Sequence, residues 1–107
     1  MPKAHNILVL LGSPRKKGNS ALLAEQIIKG AESAGATTES VFLHGLNISP
    51  CRSCYACQKK GSAGCAVDDD MQPLYRKMLQ AEAWVIASPV YWFSMSAQTK
   101  LWMDRCF

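Results

Sequence analysis

Three short apolar runs alternate with stretches of helical period, and few folds accept that alternation. "NILVLL" at 6–11 is continuously apolar and stops at Gly12. A run of this kind fits a strand buried on both faces of a helix-covered sheet. "TTESVFL" at 37–43 is a shorter β-branched and aromatic run, and "AWVIASP" at 83–89 a third, broken by Pro89. Between the first two, Leu23, Ile27, Ala31 and Ala34 recur at helical spacing, with Asn19 or Ser20 as the expected cap and Gly35 as the stop. Between the last two, Met71, Leu74, Tyr75, Met78 and Leu79 form an apolar stripe behind Asp69 or Asp70, with Pro73 tolerated in the first turn. "SAQTKLWMDRCF" opens a third helix. Strand, helix, strand, helix, strand, helix predicts an α/β fold with a parallel sheet and right-handed crossovers.

The chain has 107 residues, enough for one domain. Apolar residues make up 49% and charged residues 19%, which excludes a disordered chain. The net charge is +4, but apart from Arg15-Lys16-Lys17 the basic residues are scattered. A nucleic-acid surface shows a denser basic stripe, so no nucleic-acid partner is expected. The N-terminus lacks the apolar region and small-residue cleavage site of a signal peptide, and no run approaches the ~20 residues of a membrane span. The expected location is the cytoplasm, where five cysteines point to metal or redox chemistry sooner than to structural disulfides.

Two loops lie at the same edge of the expected sheet. "GSPRKKGNS" at 12–20 joins the first strand to the first helix. Helix N-terminal amides carry partial positive charge and suit a phosphate. Ser13 and Ser20 add hydroxyls, Asn19 an amide, Arg15 a guanidinium fork, and Gly18 a tight turn. The spacing matches neither a Walker loop nor G-x-G-x-x-G. "SPVYWFSMSAQTK" at 88–100 follows the third strand. Tyr91, Trp92 and Phe93 in succession cannot all be buried on one face, so at least one reaches a pocket or solvent. A polar loop for a phosphate and an aromatic loop for a flat ring suggest flavin mononucleotide (FMN). Core packing or an oligomer interface would also use these aromatics.

Between the loops, Cys51, Cys54, Cys57 and Cys65 read C-x2-C-x2-C-x7-C. Three thiols at this spacing can converge, and a fourth from a loop containing Gly61 and Gly64 can close the set. Four thiolates suit a 4Fe–4S cluster or a structural zinc, and free thiols remain a third reading. Cys106, His5 and His44 read as ordinary structural residues.

Together, "GSPRKKGNS" and "ASPVYWFSMSAQTKLWMDR" resemble the NADPH-dependent FMN reductase family, and the cysteines resemble its iron–sulfur flavoprotein branch. The resemblance covers the whole chain. It implies a flavodoxin-like three-layer α/β/α fold. It assigns the FMN phosphate to Ser13, Arg15, Asn19, Ser20 and Ala21, and the ring to Pro89, Val90, Tyr91, Trp92 and Phe93. It assigns a possible cluster to the four cysteines and the chemistry to the flavin, with no catalytic acid, base or nucleophile. The implied activity is an FMN-dependent NAD(P)H oxidoreductase passing electrons to a small-molecule or redox-protein acceptor. An electron-transfer module relaying between cluster and FMN is the rival, and a metal-binding fragment without flavin a second. Flavodoxin-like sheets hold five strands in the order 2-1-3-4-5. Three are expected here, so residues 1–107 are expected to be one domain cut short at its C-terminus, with an open third-strand edge and a tendency to oligomerise.

Overall fold

The computed structural model describes residues 5–106. Strand β1 spans Asn6–Leu11, helix α1 Asn19–Ser33, strand β2 Thr37–Phe42, helix α2 Met71–Gln80 and strand β3 Ala83–Ala87. A two-stranded hairpin follows, β4 (Val90–Tyr91) and β5 (Ser94–Met95), and helix α3 spans Ala97–Asp104. The main sheet is parallel throughout in the order β2-β1-β3. Leu10 lies between Val41 and Ile86, and Leu8 between Glu39 and Trp84. This is the flavodoxin-like three-layer arrangement, with the longest apolar run at the centre of the sheet.

The strand period of two separates the layers. Leu8 and Leu10 pack with Val41, Leu43, Met71, Leu74, Met78 and Trp102 on the α2–α3 side. Val9, fully buried, points the other way, where α1 lies across all three strands and Ala24 is buried. Truncating a central leucine such as Leu10 to Ala removes transfer energy and leaves a cavity, about 2–5 kcal/mol in total.

Several expected details are corrected. The α1 stripe of Leu23 and Ile27 does not face the sheet: these residues are 69% and 49% exposed, and Ala24 is the buried position. Apolar residues occupy more than one face of α1, and the face that is buried carries the small Ala24. Leu79 of α2 is likewise exposed, whereas Met71, Leu74 and Met78 are buried. Neither Asn19 nor Ser20 caps α1; Gly18 takes the cap position and no side chain accepts from the first turn. Gly18 has φ −79°, so it makes no left-handed turn. Its value is steric, because a Cβ would sit 3.3 Å from Arg15 Cβ. β3 ends at Ala87 and is not a fully buried strand: Trp84 and Ile86 are almost half exposed. Both share the face of Leu8 and Leu10. There Trp84 is covered by Trp102, edge to face at 6.1 Å between ring centroids, and donates from Nε1 to Met78 O (3.1 Å).

Candidate functional site

Gly12, at the end of β1, is the point where the two loops meet. Its N–H donates to Ala87 O (2.8 Å), continuing the β1–β3 ladder past the sheet. Its carbonyl accepts from Ser96 Oγ (2.6 Å). A Cβ here would lie 1.9 Å from Thr99 Oγ1, so any residue but glycine forces Thr99 or the loop to shift. Ser96, fully buried, is the N-cap of α3 and accepts from Thr99 N–H (3.2 Å), with the two hydroxyls 2.8 Å apart. Ser96 N–H in turn donates to Ser88 Oγ (2.9 Å), whose hydroxyl reaches Pro89 O. Thus Ser88, Ser96 and Thr99 tie the first loop, the third loop and α3 into one polar knot. Sequence reasoning does not assign them. Their only signal there is a set of hydroxyls flanking the aromatic loop, a pattern too common to single out.

Beyond Gly12, Ser13 is buried and its Oγ accepts from Arg15 N–H (3.1 Å). The loop then reaches the α1 N-terminus, whose first-turn amides at Asn19, Ser20 and Ala21 have no side-chain cap. Arg15 and Asn19 are exposed, and no carboxylate among the described residues pairs with Arg15. Uncapped amides, a buried hydroxyl and an unpaired guanidinium form a donor set matched to a phosphate dianion. Ser13 and Arg15 lie on the loop after β1, and Asn19, Ser20 and Ala21 open α1.

In the third loop, Val90 pairs with Met95 and Tyr91 with Ser94 across a two-residue turn. The turn residues are Trp92 (φ 51°) and Phe93 (φ 64°). Positive φ at both positions is the mirror-image hairpin turn that normally takes Asn-Gly. Bulky aromatics there are strained, and such strain concentrates at functional sites. Their side chains are 91% and 93% exposed, and Val90 and Tyr91 are also exposed, so the structure holds an apolar aromatic tip out of the core. The hairpin itself has no counterpart in the sequence pattern, because Trp-Phe carries no turn signal.

Cys51, Cys54, Cys57 and Cys65 border a single cavity of about 670 Å³, together with Tyr75, Trp84 and Arg105. Among the described residues, no three of His, Cys, Asp or Glu are gathered as a metal-ligand set. The four thiols thus share a cavity without being drawn together around one point. The loop turns through left-handed Ser53 and Tyr55 and leaves Cys51 and Cys54 exposed. Cys65 alone is tied to the core. Arg105 Nη2 donates to its Sγ (3.4 Å), and both guanidinium nitrogens donate to Asp69 in a fork, at 2.6 and 3.1 Å. The ion-pair side chains are 1% and 3% exposed. Arg105 Nη1 also donates to Ser49 O (2.8 Å), while Nε is buried without a partner among the described residues. Burial pushes the Asp69 carboxyl up, but hydrogen bonds from Arg105 and from the Ser49 and Met71 amides outweigh it and hold the group below its ordinary value. Burial likewise raises the Cys65 thiol, and hydrogen bonds from the Val67 backbone, Arg105 and Tyr75 bring it below its ordinary value. Tyr75 is pushed up to about 12 by its own burial and by its hydrogen bond to Cys65. Cys106 donates to Trp102 O, and burial raises its thiol.

No helix among the described residues is long and apolar enough to cross a membrane. Residues 5–107 match the family model described as NADPH-dependent FMN reductase. An iron–sulfur flavoprotein of Archaeoglobus fulgidus is 40% identical over 100 residues, covering 94% of this chain and 50% of that protein. An iron–sulfur flavoprotein of Methanocaldococcus jannaschii is 34% identical over 99 residues, 92% of this chain and 50% of its own length. The fold is shared with an NAD(P)H:quinone oxidoreductase from Methanothermobacter marburgensis, with a TM-score of 0.79 and 23% identity over 96% of this chain and 53% of that one. The chain spans about half the length of the curated relatives it matches.

Proposed function

The chain belongs to the NADPH-dependent FMN reductase family, and on that premise we propose that it is the FMN-holding part of an NAD(P)H-dependent oxidoreductase. One observation carries this reading. The loops after β1 and β3 are fastened side by side at the carboxyl edge of a parallel sheet, through Gly12 N–H to Ala87 O and Ser96 Oγ to Gly12 O. That edge is where open α/β sheets bind ligands. It joins a phosphate-matched donor set to an exposed aromatic tip.

Ser13, Arg15, Asn19, Ser20 and Ala21 would hold the phosphate: Arg15 by charge and fork geometry, the others by hydroxyl, amide and backbone N–H donors. Pro89, Val90, Tyr91, Trp92 and Phe93 would border the ring and shield it from water. When bound, FMN accepts a hydride equivalent from a reduced nicotinamide and passes electrons to an acceptor. A small molecule or a redox protein fits that role. For the four cysteines, the spacing and the names of the relatives support a cluster, and the four thiols border one cavity. No electron step is assigned to them.

Anaerobic stopped-flow mixing of the FMN-loaded chain with NADPH tests the reading. Bleaching of the flavin absorbance, dependent on NADPH and faster than for free FMN, is the expected result. A flavin that stays oxidised with NADPH but is reduced by a one-electron donor would make the chain a carrier and overturn the reductase reading.

A further inference from the structure

The structure assigns Ser96 and Thr99 as positioning residues: with Gly12 they form a ruler that fixes the phosphate loop relative to the ring loop, so that the site selects a flavin carrying a terminal phosphate. This inference rests on the FMN reading above and adds what sets the distance. Neither residue belongs to the proposed donor set or the aromatic tip. Both are nonetheless almost fully buried, at 0% and 1% exposure, in a region where burial of hydroxyls needs complete partnering. Ser96 Oγ donates to Gly12 O, accepts from Thr99 N–H and lies 2.8 Å from Thr99 Oγ1. Ser96 N–H reaches Ser88 Oγ, whose own hydroxyl reaches the carbonyl of Pro89, the first residue of the proposed ring segment. Next to Gly12 in the chain lie Ser13 and the proposed phosphate site. Ser96 and Gly12 are 84 residues apart in sequence, so the knot is the side-chain connection that ties the two half-sites together. The 1.9 Å approach of a Gly12 Cβ to Thr99 Oγ1 leaves the ruler no slack on that side.

A ligand with both a ring and a phosphate gains from binding two half-sites at once only if their spacing is held before it arrives. Riboflavin has the ring and the ribityl chain but no phosphate, so it reports the ring half-site alone. The experiment measures FMN and riboflavin affinities by flavin fluorescence for the wild-type chain and four variants. In Thr99→Val the side chain keeps its shape and loses the hydroxyl; in Thr99→Ser it keeps the hydroxyl. Thr99→Val should cut the preference for FMN over riboflavin about tenfold, leaving riboflavin affinity within about twofold, and Thr99→Ser should keep the preference. Gly12→Ala should lose the preference more steeply than Thr99→Val, because its methyl meets Thr99 Oγ1, and adding Thr99→Ala should bring it back to the level of Thr99→Val and no further. A purely structural role would lower both affinities together and show no such suppression. Unchanged preference in both Thr99→Val and Gly12→Ala, in a wild-type chain that prefers FMN, overturns the ruler and leaves the FMN reading intact. A wild-type chain that binds the two flavins equally, or neither, overturns both.

Discussion

The loop edge around Gly12 and the cysteine loop at 51–65 are built on opposite plans. The first is assembled from buried hydroxyls and backbone ladders: Gly12, Ser88, Ser96 and Thr99 are partnered before any ligand arrives, and the α1 amides and Arg15 are left open beside them. The second exposes Cys51 and Cys54 and is fastened to the core only at its two ends, where Ser49 and Cys65 both bond the Asp69–Arg105 pair. A site for a ligand of fixed shape gains when it is already rigid, since little ordering remains to be done on binding. A loop held only at its ends has that ordering still ahead of it. The chain is therefore preorganised where the flavin is proposed and unfinished where the cluster is expected.

The most damaging change should be to the anchor. Replacing Arg105 by Met strands a buried Asp69 carboxylate, and loss of one partner of such a pair costs roughly 3–5 kcal/mol. Urea denaturation should show that loss, and Asp69→Asn should show a smaller one. The pair also has an acid limit. The folded Asp69 value is depressed, so its stabilisation is complete above the unfolded value of about 3.9 and is lost as the pH falls from there through the folded value. Arg105→Met should flatten that part of the stability–pH curve. An Arg105→Met chain as stable as wild type would mean that the cysteine loop has no anchor and that the contrast between the regions is overstated.

Next comes the phosphate. Arg15→Ala should weaken FMN about ten- to a hundredfold, the range for a hydrogen bond to a charged group, and leave riboflavin nearly unchanged. Equal losses for both flavins would move Arg15 out of the phosphate site.

How far all this is legible in the sequence depends on the kind of signal. The three strands, their parallel order and the placement of Arg15 and the aromatics follow from apolar runs and turn residues, which are local. The face of α1 does not, because Leu23 and Ile27 keep a helical period without being the buried positions, and apolar residues on several faces leave the periodicity ambiguous. Cap geometry fails for a related reason: Asn19 and Ser20 are good caps, yet Gly18 starts the helix and leaves the amides uncapped. The Ser96–Gly12 bond and the Asp69–Arg105 fork join residues far apart in the chain, and no local pattern encodes such pairs. The hairpin turn at Trp92–Phe93 defies turn chemistry outright, as expected where a site and not the fold sets the residues.

Two smaller effects sharpen the contrast. Exchanging Trp92 and Phe93 for Asn and Gly removes left-handed strain at two positions, and should raise stability by roughly 0.5–1 kcal/mol while weakening both flavins alike. A gain in flavin affinity would show that the aromatics do not border the ring. Cys54→Ser, on the exposed part of the other loop, should change stability by no more than about 0.5 kcal/mol and leave FMN affinity unmoved. A fall in FMN affinity would mean that the two regions form one site.

The central claim is that the flavin belongs to the edge already held rigid. Amide hydrogen exchange of the chain with and without saturating FMN tests it most directly. Slowed exchange at 12–21 and 88–96, with 51–65 exchanging as fast as before, is the predicted result. Protection appearing in 51–65 while the two loops stay unchanged would contradict it.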